Sequence, residues 1–452
     1  MSALEKALKY SQKRKIDECE TTSVKKKIIT VRITDSEIVE VKENFSRDFG
    51  IRLIHEKKIA AVQTTNEKEI EKSIDEGLRS LTNLKSREFW KGLPYETHQK
   101  RLKGTFDKKL EQISGSKVID IAQSMINSSN NNKINAITGS LNIVSEGFEL
   151  RNSNGLHYEE KATYISGIIN AESEQGKTPV SGIGYDCGRT LANFNTEQIG
   201  DDAKIMCIES INPQKIDSGI YSIIFEPYSV GELLAFVIAP NFNFKTFSEK
   251  KSCFSNDSEK YIAVNEFTLI DDPHSSEGIG TKSVDDEGIE TSKNKLIEKG
   301  IFRNTFSNLF DSYKEESKST GNGLRLGSPF GRSSEPMPIS APHNLRINSG
   351  DSSQAEMIKN TRHGLLVGRL WYTYAINPIR GDFSCTARSG IRIIKDGKIK
   401  APGKSVRVIH NLPTLLKNIS EIGNKSRNVI QWASLPSIVP SIKVENIYVN
   451  SI

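Results

Sequence analysis

The chain has 452 residues and a net charge of +6, from 62 basic and 56 acidic side chains. This length supports two or three domains with sizeable cores. No run of about 18 apolar residues is present, which argues against a transmembrane helix, and residues 1–27 lack the apolar segment of a secretory signal. Five scattered cysteines without a CxxC pair predict reduced thiols and a cytoplasmic location.

The first 27 residues are rich in basic side chains, with clusters at 13–15 and 25–27. We predict that residues 1–27 form a disordered, solvated arm. A basic arm can also bind nucleic acid. Tyr10 is the one aromatic residue near these lysines that could stack on bases. Nucleic-acid binding is therefore the less favoured interpretation.

The next segment combines strand and helix patterns. Apolar and polar residues alternate at 29–33, 38–41 and 51–54, which predicts an antiparallel sheet with one buried face. Asn66 is a predicted helix N-cap with a capping box. Residues 28–105 are therefore predicted to form an N-terminal α+β domain. The helix behind the cap carries an apolar stripe at Ile70, Ile74, Leu78 and Leu81.

A second α+β pattern follows and is assigned to a central domain, residues 106–216. A polar helix is predicted at about 96–113, which crosses the boundary from the preceding domain, and an apolar-striped helix at 118–126. Alternating segments between 134 and 169 predict strands joined by a tight turn. A helix at 196–211 closes the domain.

Residues 217–452 are dominated by strand patterns and glycine-rich turns. Hairpins are predicted at 295–302 and around Asp396-Gly397, and a long irregular loop at 320–340. The complete pattern predicts an α+β protein. It has an N-terminal region of antiparallel sheets with helices, and a β-rich C-terminal domain.

Few residues are arranged for catalysis or metal binding. His274, in an Asp- and Ser-rich loop, and His157, two residues before Glu159, are the metal candidates, although turn and surface roles are favoured for both. His343 is isolated in sequence. Cys385 could be a reactive thiol, but a buried structural thiol is favoured. The sequence contains no GxSxG, P-loop or dinucleotide motif.

Several short motifs occur in a specific order along most of the chain. Together they resemble the TldD/TldE (PmbA) family of metalloprotease-related proteins, from about residue 28 onwards. The motifs are DDP, GIG and DDEG within 271–288, LIEKGI at 296–301, STGNGLR at 319–325, APHNL at 341–345, GLLV at 364–367 and GDFS at 381–384. Their family-motif residues are Asp285, Asp286, Glu287, Asn322, Arg325, Asn344 and Asp382.

Two departures from the family pattern concern the metal site. In the TldD-type subunit, the helix matching residues 225–240 carries HExxxH, whose histidines bind zinc. Here the matching positions are Leu234, Ala235 and Ala239, which can neither ligate a cation nor transfer a proton. The cysteine that serves the TldD-type metal site also has no counterpart within 431–437, where Trp432 stands. The resemblance therefore implies a TldE-type chain without catalytic residues, metal or cofactor.

The resemblance implies a non-catalytic TldE/PmbA-like subunit of a TldD/TldE-type protease that degrades peptides or unfolded proteins. Its partner would be a TldD-type subunit carrying the zinc, with a homodimer in isolation, and neither nucleic acid nor membrane is expected as a partner. Two alternatives remain open at this stage. The chain could be a metal-dependent peptidase with ligands relocated to His274, His157 or His343, or a DNA-associated, gyrase-modulator-like protein using the basic arm.

Overall fold

The N-terminal half is built from long strands and five helices. The structure, a computed structural model, describes residues 2–95, 100, 102–431 and 435–452. Short 3₁₀ turns at Glu67–Glu69 and Leu191–Asn193 precede the helices at Ile70–Leu81 and Thr196–Glu209. The elements are α1 (Ala3–Lys13), β1 (Glu18–Thr34), β2 (Glu37–His55), β3 (Lys58–Thr64), α2 (Ile70–Leu81), α3 (Lys108–Glu111), α4 (Gly115–Ser129), β4 (Ala136–Asn152), β5 (His157–Ser173), β6 (Val180–Gly188) and α5 (Thr196–Glu209).

One antiparallel sheet joins the two regions that the sequence divided at residue 105. Its strand order is β3-β2-β1-β4-β5-β6. Val24 on β1 lies opposite Asp48 on β2 and Phe148 on β4. The apolar stripe of α2 packs on β2 and β3, and α4 and α5 cover β4 to β6. Residues 28–105 and 106–216 therefore share a sheet, because β1 pairs with a strand more than 100 residues later.

Residues 2–27 are folded, so the prediction of a disordered arm is wrong. Ser2 caps α1 in a capping box with Glu5. Lysines 25–27 lie within β1, where Lys26 is buried and its Nζ donates to the carbonyl of Phe330 at 2.6 Å. Although this segment is basic overall, α1 has a short apolar face. Ala3, Leu4 and Ala7 on that face pack against the sheet.

The C-terminal half is rich in strands, and the predicted α+β class is confirmed. The hairpin predicted at 295–302 forms from the strands Asn294–Glu298 and Ile301–Phe302. The hairpin predicted around Asp396-Gly397 forms from the strands Asp382–Lys395 and Lys398–Pro402. The elements are β7 (Gly219–Phe225), α6 (Pro227–Leu233), α7 (Phe244–Ser248), β8 (Leu269–Asp271), β9 (Asn294–Glu298), β10 (Ile301–Phe302), α8 (Leu309–Lys314), β11 (Gly323–Leu324), β12 (Ile339–Ser340), β13 (Leu345–Ile347), α9 (Gln354–Lys359), β14 (His363–Asn377), β15 (Asp382–Lys395), β16 (Lys398–Pro402), β17 (Val406–Asn411), α10 (Leu412–Lys417), β18 (Ile419–Val429) and β19 (Ser437–Ser451).

An eleven-stranded mixed sheet organises this half. Its main path is β10-β9-β8-β13-β19-β17-β15-β14-β7, with β16 and β18 paired at the side and β19 also paired with β7. The largest hydrophobic core packs against this sheet and includes α6. No helix in the described part of the chain is long and apolar enough to cross a bilayer.

Two predictions fall partly or wholly outside the described residues. Of the polar helix predicted at 96–113, the structure shows only α3, and the prediction is wrong for residues 102–107, 112 and 113, which are not helical. Residues 96–99 and 101 are not described. Trp432 also lies outside the described residues.

Candidate functional site

The helix expected to carry the metal motif changes its hydrogen-bond pattern at the motif positions. Pro227 occupies the first turn of α6, where its missing N–H costs nothing. The chain then forms a π-helical turn, Leu234–Ile238, and a 3₁₀ turn, Ala239–Phe242. The amide of Ala239 donates to the carbonyl of Leu234, which is the five-residue spacing of a π-helix. This hydrogen bond brings the backbone of position 239 next to that of position 234, five residues earlier in the chain.

The side chains at these positions do not fit a zinc ion. Leu234 is fully buried, Ala239 is 3% exposed, and both belong to the main hydrophobic core. Ala235 is half-buried. None of the three offers the nitrogen, oxygen or sulfur lone pair that zinc requires, so no chemical step at this helix is assigned to a metal.

Glu232 is the carboxyl group closest in sequence to the motif positions, and it is buried. Glu232 is 3% exposed and accepts a hydrogen bond from the Leu370 amide at 2.7 Å. Burial raises the pKa of Glu232 to about 8, although this hydrogen bond and the charge of Arg369 oppose the rise. Glu226 makes no capping hydrogen bond and pairs with Arg392 at 2.7 Å.

The protonation of Glu232 predicts a pH dependence of stability. The unfolded chain ionises this carboxyl above about 4.5, whereas the folded chain keeps it protonated up to about 8. Its contribution to stability is therefore complete at low pH and is lost as the pH rises through this window, by on the order of a few kcal/mol. We expect Glu232→Gln to flatten this part of the pH profile in urea unfolding. The exposed Glu277→Gln should leave the profile unchanged, and an equal slope in wild type and Glu232→Gln would contradict the assignment.

Six of the seven family-motif residues meet in a buried polar network between the six-stranded sheet and the C-terminal half. Glu287 accepts hydrogen bonds from Arg52 on β2 at 3.0 Å and from the Leu309 amide at 2.7 Å. Arg52 also pairs with Glu20 on β1 at 2.8 Å, and Arg325 pairs with the same carboxylate. The network therefore joins strands β1 and β2 to the motif loop. Its motif members are Asp285, Asp286, Glu287, Asn322, Arg325 and Asn344.

A second arm of this network is centred on Arg332, a residue that sequence reasoning missed. Arg332 is 1% exposed and pairs with Asp286 at 2.7 Å, Glu146 at 3.3 Å and also Glu160. Burial acts to raise the pKa of Asp286, but Lys282 and Arg332 outweigh it and hold that pKa below its usual range. These charges have protein partners, which indicates a structural role for the DDEG motif.

Asp271 extends the network. Its carboxylate accepts a hydrogen bond from the Asn322 side chain at 2.6 Å, and its other oxygen accepts from the backbone amides of His343 and Asn344, both at 2.8 Å. Burial and the neighbouring Glu287 raise the pKa of Asp285 to about 8.

The seventh motif residue, Asp382, has separate partners. It begins β15 and accepts from Asn411 at 2.9 Å, with Arg380 at 3.3 Å. Asp382 therefore stabilises the end of the β15–β17 pairing in the C-terminal sheet, where it lies opposite Asn411.

In the described part of the chain, neither His274 nor His343 belongs to a group of three or more possible metal ligands. His274 Nε2 lies 3.1 Å from Thr291 Oγ1, and His343 Nε2 donates to the Gly321 carbonyl at 2.7 Å. One group of possible metal ligands is found in the described part of the chain, and it lies at the surface. It consists of Glu149, His157 and Glu159, whose possible ligand atoms lie within 4.8 Å of one another. Glu149 in that group is already paired with Arg151 at 2.7 Å.

The thiols are placed for packing. All five cysteines are free, and four of them are buried. Burial raises the pKa of Cys385 to about 12, which suppresses the thiolate that nucleophilic chemistry needs. Cys385 therefore has the structural role that the sequence favoured.

Comparisons with known proteins agree with this architecture. A family model described as the PmbA/TldA metallopeptidase C-terminal domain matches residues 218–451, and one described as PmbA/TldA metallopeptidase domain 1 matches residues 19–81. An uncharacterized protein of Methanocaldococcus jannaschii is 25% identical over 397 residues, 88% of this chain and 89% of that protein. The metalloprotease PmbA of Escherichia coli O157:H7 is 25% identical over 264 residues, 58% of this chain and 54% of that protein. The crystal structure of TldE from Thermococcus kodakarensis has the same fold, with a TM-score of 0.88 at 22% identity, covering 99% of this chain and 100% of that one.

Proposed function

Because the chain belongs to the PmbA/TldD metallopeptidase family, we propose that it is a non-catalytic, TldE-type subunit of a proteolytic complex. The observation that carries this proposal is the π-helical turn after α6, where the backbone brings positions 234 and 239 together but both side chains are aliphatic. This supports the proposal because a family member with aliphatic side chains at both positions lacks the ligands that zinc requires there.

The proposed partner is a TldD-type subunit that carries the zinc, and the proposed substrates are peptides or unfolded proteins. The buried network supports a structural role because its motif carboxylates are paired within the chain. A role through a mobile basic arm has less support, since Lys26 is buried in β1 and Lys27 pairs with Glu43 at 3.1 Å. The free thiols are consistent with the proposed cytoplasmic location.

The proposal predicts partner-dependent proteolysis. The purified chain should contain no stoichiometric zinc and should not degrade an unfolded casein substrate. Addition of a TldD-type subunit from the same cell should produce activity that a chelator abolishes. A TldD-type variant with its HExxxH glutamate replaced by glutamine is the control, and it should remain inactive with this chain. Stoichiometric zinc, or chelator-sensitive activity of this chain alone, would refute the proposal.

A further inference from the structure

One buried guanidinium beside α6 has no anionic partner among the residues that the structure describes. Arg369, on β14, is 7% exposed, and its Nε has no hydrogen-bond partner. Among the described residues, no carboxylate oxygen lies within 4 Å of this side chain. Glu232 acts on it from further away, but that carboxyl is protonated near neutral pH and does not neutralise the arginine. An arginine remains charged in proteins, and a buried charge without a partner is costly.

The Trp371 ring lies between Arg369 and a second cation, Arg388. The Trp371 ring centroid lies 4.7 Å from the Arg369 guanidinium and 4.7 Å from that of Arg388. Trp371 Nε1 and Thr373 Oγ1 are buried and also lack a hydrogen-bond partner. Arg388 is exposed, so the cluster of Arg369, Trp371 and Arg388 reaches solvent at one end.

The chemistry of these groups selects the ligand. Arginine and tryptophan side-chain nitrogens only donate hydrogen bonds, so the ligand must present acceptors. Two positive charges require that it be an anion, and the planar fork of a guanidinium matches a carboxylate or a phosphate. Contact with the aromatic ring stabilises the arginine charge but leaves the Arg369 Nε–H donor unsatisfied.

The position of the cluster favours a peptide as the source of the anion. Arg369 lies 6.0 Å from the ring centroid of Tyr228 on α6, and the next residue, Leu370, is hydrogen-bonded to Glu232 on the same helix. The cluster therefore adjoins the helix that matches the metal helix of the catalytic subunit. We propose that Arg369, Trp371 and Arg388 bind the C-terminal carboxylate of a peptide. The choice of a peptide rests on the proposed function, whereas anion binding rests on the cluster itself.

Two peptides that differ only at the C-terminus test the proposal. Acetyl-Ala-Leu-Ala with a free carboxylate and the same peptide as the amide are titrated into the isolated full-length chain by calorimetry. We expect the acid to bind at least about tenfold more tightly than the amide. Arg388→Gln and Trp371→Phe should each reduce this preference, and Arg369→Gln should abolish it. Arg369→Lys keeps the charge but not the fork, so it should give an intermediate result.

Arg362→Gln is the matched control, because it removes the same charge from an exposed position just before β14. It should bind both peptides as the wild type does. If Arg369→Gln does not fold, the exposed Arg388 supplies the decisive variant. Equal affinity for acid and amide would overturn the proposal, as would equal losses in Arg388→Gln and Arg362→Gln. Inorganic phosphate binding more tightly than the acid would overturn the peptide assignment. These titrations use no partner subunit, so their failure is distinct from a failure of partner-dependent proteolysis.

Discussion

Replacing Arg332 with methionine is expected to lower the free energy of unfolding by about 3–5 kcal/mol, because it leaves buried carboxylates without their counter-charge. Arg332 forms ion pairs with Asp286 in the motif loop, with Glu146 on β4 and with Glu160 on β5. The loss should therefore weaken the contact between the six-stranded sheet and the C-terminal half. Urea unfolding followed by circular dichroism measures the change.

Arg303→Met provides the matched control. Arg303 pairs with Glu259 and Glu298 at the surface, where its side chain is 36% exposed. Solvent screening limits such pairs to about 1 kcal/mol or less. If Arg332→Met is no more destabilising than Arg303→Met, the network does not hold the two halves together.

Elements defined by local signals could be predicted from the sequence. The α2 stripe and the two C-terminal hairpins depend on residues within a few positions of each other, and all three form as predicted. The family motifs indicated which residues mattered, but not that six of them share a network. Arg52, Arg332 and Glu20 lie outside the motifs, and each of them has a partner more than 100 residues away. These partners are Glu287 for Arg52, Glu146 for Arg332 and Arg325 for Glu20.

The basic N-terminal segment shows that a high lysine content does not by itself predict a disordered arm. Lys26 is buried because β1 runs between β2 and β4, and its Nζ lies 3.6 Å from Glu146, a residue 120 positions later. Nothing near Lys26 in the sequence identifies that partner. The environment of Glu232 depends in the same way on a distant element, because β14 supplies the amide that hydrogen-bonds its buried carboxyl group.

Leu234→Ala is expected to lower the free energy of unfolding by about 2–5 kcal/mol, the usual cost of a cavity left by a fully buried leucine. Leu234 is 0% exposed and packs in the main core of the C-terminal half. The position that a zinc ligand would occupy thus has a packing role in this chain. Folded Leu234→Ala should keep the metal content of the wild type and the same activity with a TldD-type partner.

Leu84→Ala is the control for this substitution, because Leu84 is 41% exposed and its truncation should change stability by about 0.5 kcal/mol or less. Two outcomes would contradict the packing role. One is a stability loss no larger than that of Leu84→Ala. The other is a folded Leu234→Ala that no longer supports partner-dependent proteolysis. That second result would mean that position 234 contacts substrate or the partner's site, and that the apolar π-helical turn acts directly in the complex.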